Sequence, residues 1–494
     1  MVTAASSASG PDPAALEALI PPELQRWGVP GVEVALVRGD EVVFAGGFGA
    51  RDPAHGLPVT ERTLFHHGST GKAFTALLAA VLVDEGLLEW ERPLRDVVPD
   101  LRFHDPVLTE RVTLRDLLAH RSGLARHELA WVANPGWDRA ELIRRLRFLE
   151  ASRDLRAEFQ YCNLGYAAAG HVIGVVTGST WEEQLRTRVL EPLGMSGATS
   201  SVAEALGRDD IARPHELLDG SMIEVPFRVM DACAPAGQVL ASAPDSARWL
   251  RFQVNDGELD GVRLASREVF AQTRTLQIPL EAPGPLPDEP DWGPSWLGYG
   301  LGWVLARYRD RPAIYHSGGV DGFRTDTIVM TEDRVGVLVC ANAGSGLPLA
   351  LALDLTDRLL GGEPRPWLDR LHAREETLRR AADDAPAPTV VADTTPSHGL
   401  AEFAGDYEHP GYGTLHVTAE RSALRFRLGE LDFSAKHRHH DTWMARYDAL
   451  ELDVPVTFVT DADGMVAEAR AGLEPTLPPI AFVRRADPRL RVGG

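Results

Sequence analysis

Hydrophobic and polar positions follow three successive patterns along the chain. The N-terminal part opens with apolar residues at helical spacing, predicting a helix over Pro13–Trp27. Next come two apolar-rich runs, Gly31–Val37 (GVEVALV) and Glu41–Gly49 (EVVFAGGFG), joined through Arg38-Gly39-Asp40. They predict a β-hairpin. The middle part is helical. Thr70–Gly86 is apolar on most faces and stops at glycine, which predicts a buried helix, and further helices are predicted at Leu114–His120 and Leu164–Thr177. Short strands then return at Tyr299–Ala306, Ala313–His316, Phe323–Thr331 and Val335–Ala341, before a helix at Leu347–Leu360. A chain that opens with strands, passes through helices and closes with strands predicts one sheet joined from both ends of a domain.

The third pattern begins near Gly399. Alternating runs at Gly413–Thr418, Ala423–Leu428, Leu431–Ala435, Trp443–Arg446, Thr457–Thr460 and Ala467–Ala471, with turn residues between them, predict a small β-barrel. The expected organisation is a frayed segment 1–13, a catalytic domain 14–362, a helix and Pro/Ala/Thr-rich linker 363–398, and a barrel 399–494. A length of 494 residues fits two or three domains. The Pro- and Trp-rich stretch Gln277–Gly298 is too long for a connector and reads as a substrate-side lid.

Charge narrows the partners. Fifty Lys+Arg against 71 Asp+Glu give a formal net charge of −21, which repels phosphate backbones and anionic lipid. No nucleic-acid or membrane partner is expected. No run has the apolar length of a bilayer span, and the N-terminus lacks a basic start and apolar core, so the expected location is cytoplasmic. Three cysteines, Cys162, Cys233 and Cys340, with no CxxC pair, argue against a disulfide framework or a thiolate zinc site. Lysine occurs only at positions 72 and 436. A lysine kept among so many arginines can mark a place where arginine cannot serve, because a desolvated lysine becomes a neutral base and arginine does not.

Lys72 stands three residues after Ser69 in His67-Gly68-Ser69-Thr70-Gly71-Lys72. On a helix starting at Ser69, i and i+3 share a face, so hydroxyl and amine can meet. Serine needs an adjacent base to become a nucleophile, and the apolar residues after Lys72 offer the desolvation that lowers an amine's pKa. A P-loop is excluded, because its opening glycine falls on His66 and its Ser/Thr on Ala73. G-x-S-x-G and His-Glu-x-x-His are both absent. Downstream, Tyr161-Cys162-Asn163 supplies a phenol able to shuttle a proton and an amide able to hold a substrate carbonyl. His316-Ser317-Gly318-Gly319 ends a predicted strand with glycines that admit a substrate backbone and offer an N–H to an oxyanion.

The order Ser-x-x-Lys, Tyr-x-Asn, His-Ser-Gly resembles the serine β-lactamase and penicillin-binding protein superfamily, most closely the class C-related esterases, D-aminopeptidases and penicillin-binding-protein-type thioesterases. Leu114–Leu124, Glu191–Met195, Pro235-Ala236-Gly237-Gln238 and Tyr299–Trp303 are similar to phrases that accompany those motifs. The resemblance covers about residues 14–362; the tail resembles a lipocalin-like domain appended to some members. It implies an α/β (α+β) transpeptidase-like fold, an antiparallel sheet flanked by helices plus an all-helical lobe, followed by the barrel. It also implies Ser69 as acylated nucleophile, Lys72 as base, Tyr161 in proton transfer and Asn163 in substrate positioning. The N–H groups of Ser69 and Gly319 would form the oxyanion hole. His316 takes the place usually held by lysine, so a fixed cation gives way to a mostly neutral ring.

The expected chemistry is acyl transfer through an acyl-Ser69 with no cofactor or metal. The acyl donor is a small molecule or peptide in amide or ester linkage, with a D-residue preference implied by the resemblance. The alternative is a thioesterase that releases or cyclises nonribosomal peptides carried on a carrier protein; a non-catalytic ligand sensor is the third reading. Oligomeric state is not legible. Cys162 reads as a buried spacer, and His437-Arg438-His439-His440 as a polar strand or turn rather than a metal site. His66 and His67 are assigned to the cleft or to core packing, and Trp292, Trp296 and Tyr299 to an aromatic wall or to burial. Arg126, His127 and Glu128 receive no function.

Overall fold

The computed structural model describes residues 10–218, 221–281, 295–383, 389–448 and 452–485. Among these, the ends of the first domain build one antiparallel nine-stranded sheet. Its spatial order is Ile278–Pro279, Ser295–Tyr299, Val304–Tyr308, Arg311–Val320, Phe323–Met330, Val335–Ala341, Gly31–Arg38, Glu41–Asp52, Leu57–Pro58. The join is the pairing of Gly31–Arg38 with Val335–Ala341, in the register Val34↔Val339.

Alternation of side chains sends the two faces of these strands into different cores. On one face Val32, Val34, Val337 and Val339 pack with the helices Pro13–Trp27 and Leu347–Leu359. Asp12 caps the first of these helices, its side chain accepting from the Ala15 N–H, and Leu16, Ile20, Leu24 and Trp27 form its buried stripe. On the other face Ala35, Val37, Val329 and Leu338 meet the helices Lys72–Asp84 and Ala243–Val254 and, beyond them, the helical lobe. Lys72–Asp84 is buried from Lys72 through Leu82, as an all-round apolar helix must be. In the lobe, Asp116 accounts for part of the Leu114–Leu124 phrase. It closes a capping box with Thr113 and receives both Arg121 Nε (2.7 Å) and Arg156 Nη2 (2.8 Å).

One expectation changes here. The run Tyr299–Ala306 is not one strand: it breaks at Gly300–Trp303, with Gly302 at φ +77°. A Cβ at Gly302 would lie 2.8 Å from the Lys72 carbonyl oxygen, so the turn is pressed against the start of that helix. The lid assigned to Gln277–Gly298 falls mostly on residues 282–294, which lie outside the described residues, as do Trp292 and the Trp296 side chain. The ends of that stretch form edge strands, pairing Ile278 with Tyr299.

The tail is a closed up-and-down barrel of eight strands, against the six read from sequence. The unread pair, Gly405–His409 and Ile480–Arg484, close the barrel on each other through Tyr407↔Arg484 and Glu408↔Val483. Phe426, Phe433, Val456 and Phe482 fill the interior, leaving about 10 Å³ among them. This barrel is a packed core rather than a ligand cup. It sits on the helical lobe. Glu430 N–H donates to the Ala133 carbonyl (2.8 Å), and Arg145 Nη1 to that of Pro410 (2.7 Å). No helix among the described residues is long and apolar enough to cross a membrane.

Candidate active site

Ser69 lies on a single 3₁₀ turn, Gly68–Gly71, that leads into the helix starting at Lys72. The expected helix start at Ser69 is therefore a tighter turn, in which residues i and i+3 eclipse and bring Lys72 directly against Ser69. Glycines clear space for this turn. A Cβ at Gly318 would lie 2.0 Å from the His67 carbonyl oxygen, and one at Gly237 would lie 2.7 Å from the backbone of Gly68. Gly68 itself sits at φ +55°, where a Cβ would meet the Gly319 nitrogen at 2.9 Å. Backbone from three separate parts of the chain thus meets with almost nothing between, and Gly319 reaches the same cleft wall as Ser69.

Lys72 is fully buried, and its Nζ donates to Ser69 Oγ (3.0 Å), Asn163 Oδ1 (2.7 Å) and the Ala236 carbonyl (2.6 Å). Burial lowers its pKa to about 7, with the Glu128 charge opposing that shift and Arg126 reinforcing it. Two of its three partners can only accept. When the amine is neutral, its lone pair therefore has one productive direction, towards the Ser69 hydroxyl. The Tyr161 hydroxyl donates to Ser69 Oγ at 2.8 Å, and burial raises the phenol well above its ordinary pKa, keeping it protonated. Ser69 Oγ therefore stands between a protonated phenol and an amine near neutrality.

Asn163 is held from both ends. Its Oδ1 receives Lys72 and its Nδ2 donates to Glu128 Oε1 (3.0 Å), so both ends of the amide are engaged within the protein. The side chain orients Lys72 and also lines the cleft. His316 is buried, with its pKa lowered to about 3 by desolvation and by the Lys72 and Arg324 cations. Its Nδ1 donates to the Ser317 carbonyl (2.6 Å), leaving Nε2 to accept from the Tyr299 hydroxyl (2.9 Å). The ring is a neutral wall, and Tyr299 is a buried support for it.

Sequence reasoning missed Arg126 and Glu128, to which no function was assigned; both line the cleft. Glu128 holds Asn163, and the Arg126 guanidinium lies 5.0 Å from the centre of the Tyr161 ring. Between them, His127 adopts φ +46° and turns away towards the barrel. Its N–H donates to Glu474 Oε2 (2.9 Å), and its ring bonds the Tyr412 hydroxyl (2.8 Å) and the Glu150 carbonyl (2.8 Å). Arg324 was also missed, although it is the cross-strand partner of Gly319. That register could have revealed it once the two strands were paired. The cleft, about 480 Å³, thus brings Arg126, Arg228 and Arg324 together on a strongly acidic protein. Their carboxylate partners are Glu128, Asp321 and Asp326.

His66 and His67 lie behind the turn rather than in the cleft. His66 Nδ1 accepts from the Gly68 N–H (3.1 Å), and His67 Nε2 pairs with the buried Glu33 (2.9 Å). Cys162 is buried, its thiol pushed up to about 12 by desolvation and directed at the Ala125 carbonyl. Glu33, His67 and Cys340 bring ligand-type atoms within 4.8 Å of one another. Those atoms already bond His67, Ser246 and Thr325 within the core. His437 and His439 lie at the open end of a barrel strand whose Leu431, Phe433 and Ala435 are buried, and His437 Nε2 bonds the His440 carbonyl (2.7 Å).

Residues 16–361 match the family model described as Beta-lactamase, and residues 389–483 match one described as Domain of unknown function (DUF3471). The chain is 28% identical over 431 residues to the unguisins hydrolase ungD of Aspergillus violaceofuscus, covering 80% of this chain and 75% of that one. It shares its fold with the octameric penicillin-binding protein homologue from Pyrococcus abyssi at a TM-score of 0.62 and 23% identity, over 95% of this chain and 99% of that one. A D-amino acid amidase from Ochrobactrum anthropi SV3, solved with L-phenylalanine amide, aligns at a TM-score of 0.59 and 25% identity over 70% of this chain and 97% of that one.

Proposed function

The chain belongs to the beta-lactamase family of serine hydrolases, and from that premise we propose that it cleaves peptide, amide or ester bonds through an acyl-Ser69 intermediate. The observation that carries this reading is the buried Lys72 amine, poised near neutrality, with acceptor-only partners on every side but that of Ser69. Neutral Lys72 takes the hydroxyl proton as Ser69 Oγ bonds to the substrate carbonyl carbon. The resulting oxyanion is met by the N–H groups of Ser69 and Gly319, as the family pattern implies. The tetrahedral intermediate then expels the amine or alcohol, whose heteroatom takes a proton from Tyr161. Tyr161 in turn recovers one from the Lys72 ammonium, which lies against its ring. Water attacks the acyl-serine in the second half, giving a proton to Lys72, which returns it to Ser69 Oγ as the acid leaves.

Relatives named for hydrolase and amidase activity support this assignment, and a neutral His316 in place of a fixed cation removes one anchor for an anionic substrate. The test is intact-protein mass after brief mixing with amides, esters and thioesters that end in D- or L-residues. An adduct mapping to Ser69, together with free acid, is expected, and Ser69→Ala abolishes both. Turnover retained in Ser69→Ala overturns the mechanism. Cyclic or amine-captured product in place of acid would make the enzyme an acyltransferase that releases thioester-bound peptides.

A further inference from the structure

Building on the acyl-enzyme reading, we propose that a second chamber, formed jointly by the catalytic domain and the barrel, binds an apolar side chain of a peptide substrate two or more residues from the scissile carbonyl. This chamber, about 460 Å³, shares Val132, Arg228 and Asp321 with the Ser69 cleft, so the two volumes lie side by side across these three residues. Arg228 and Asp321 are bonded to each other there (Nε to Oδ2, 3.0 Å). Phe227 and Val229 line it from the catalytic domain, Leu431 and Tyr447 from the barrel.

The barrel wall is fixed rather than loosely docked. Gly429 sits at φ +55°, where a Cβ would lie 1.9 Å from the Ala133 carbonyl oxygen, and that oxygen accepts the Glu430 N–H at 2.8 Å. Because the barrel interior is filled, its contribution to binding is made by this outer turn. Each chamber alone has the size of a small-molecule site, ~300–1,000 Å³. A one-residue substrate is accommodated in the first, whereas a peptide of several residues reaches the second. Glu216 and Glu430 also line the second chamber and repel acidic side chains, while Phe227, Val229, Leu431 and Tyr447 offer the apolar contact.

The test uses p-nitrophenyl esters of one apolar residue and of tetrapeptides ending in that residue, with peptide amides extended on the leaving-group side, each in D- and L-forms. Wild type is expected to prefer at least one extended series over its one-residue parent by about tenfold in kcat/KM. Val229→Trp and Glu430→Trp fill the chamber from opposite walls, at positions exposed enough to accept the larger side chain. Each should erase that preference while one-residue turnover stays within about twofold of wild type. A preference that survives both variants, or that wild type lacks, overturns the proposal. If no donor acylates Ser69, the acyl-enzyme reading has failed, and the chamber is judged by binding alone. Calorimetry of a neutral apolar hexapeptide amide with Ser69→Ala should then show affinity about tenfold weaker once Val229→Trp is added. Unchanged affinity overturns the chamber.

Discussion

The two sides of the cleft are built differently. The floor, from Ser69 to Lys72, is held by backbone: Gly68, Gly237 and Gly318 let three chain segments touch, and every partner of Lys72 belongs to the catalytic domain. The opposing wall, Arg126–Glu128, is a loop with a histidine at positive φ, tied by side-chain hydrogen bonds to Tyr412 and Glu474 of the barrel. A group that must change protonation inside a dry site is placed by packing that cannot yield. Groups that only adjust its charge and orientation are placed by bonds that a second domain supplies. Lys72 thus depends on its own domain for position, and through Asn163 and Glu128 on the barrel for fine adjustment.

The largest effect is expected at the floor. Gly318→Ala drives a Cβ into the His67 carbonyl at 2.0 Å, and this backbone cannot move without displacing Ser69. Activity should fall by about 10³-fold or more, with ~3 kcal/mol or more lost in urea unfolding. Near-wild-type turnover would show that the floor is not rigid.

Next comes the cost of burying Lys72. Its pKa drops from an ordinary 10.5 to about 7 on folding, so between these values the unfolded chain binds more protons and stability rises with pH. Each pH step of one between the two values is worth about 1.4 kcal/mol, so wild type should gain ~3 kcal/mol on Lys72→Met from pH 7 to pH 10. Denaturant titrations of both proteins measure this difference, and parallel pH profiles would mean that the amine is not desolvated. Acylation requires the neutral amine, so kcat/KM should climb with pH to a plateau past about 7.

The smallest effect belongs to the wall. The His127 Nε2–H is spent on the Glu150 carbonyl, so Nδ1 accepts from Tyr412, and Tyr412→Phe leaves that nitrogen unpaired. A loss of ~1–2 kcal/mol and a drop in kcat of about threefold to tenfold are expected, with the acid limb of kcat/KM nearly in place. Glu128→Gln should instead move that limb to lower pH, because the carboxylate raises the Lys72 pKa. If Tyr412→Phe proves as damaging as Gly318→Ala, the distinction between floor and wall collapses.

Features set within one element were legible in the sequence. Ser69 and Lys72 could be paired because one turn joins them, and the buried helix could be recognised because its residues are apolar on every face. The barrel's inner strands showed their alternation, but its first strand buries Tyr407 alone in the core, so it carries no periodic signal. Tyr299 and the Val304–Tyr308 strand were merged because a four-residue turn between apolar runs looks like continued strand.

The order of motifs along the sequence determined the fold and the family, and short-range spacing paired Ser69 with Lys72, because hydrophobic period and local spacing act within one element. Tertiary structure alone decided that Asn163 bridges Lys72 and Glu128, that His316 spends both nitrogens on its neighbours, and that Arg126 and Glu128 join the cleft. Those outcomes depend on which distant partner fills each hydrogen bond. In a dry site every donor and acceptor must be paired, and only the packed molecule settles which pairs form.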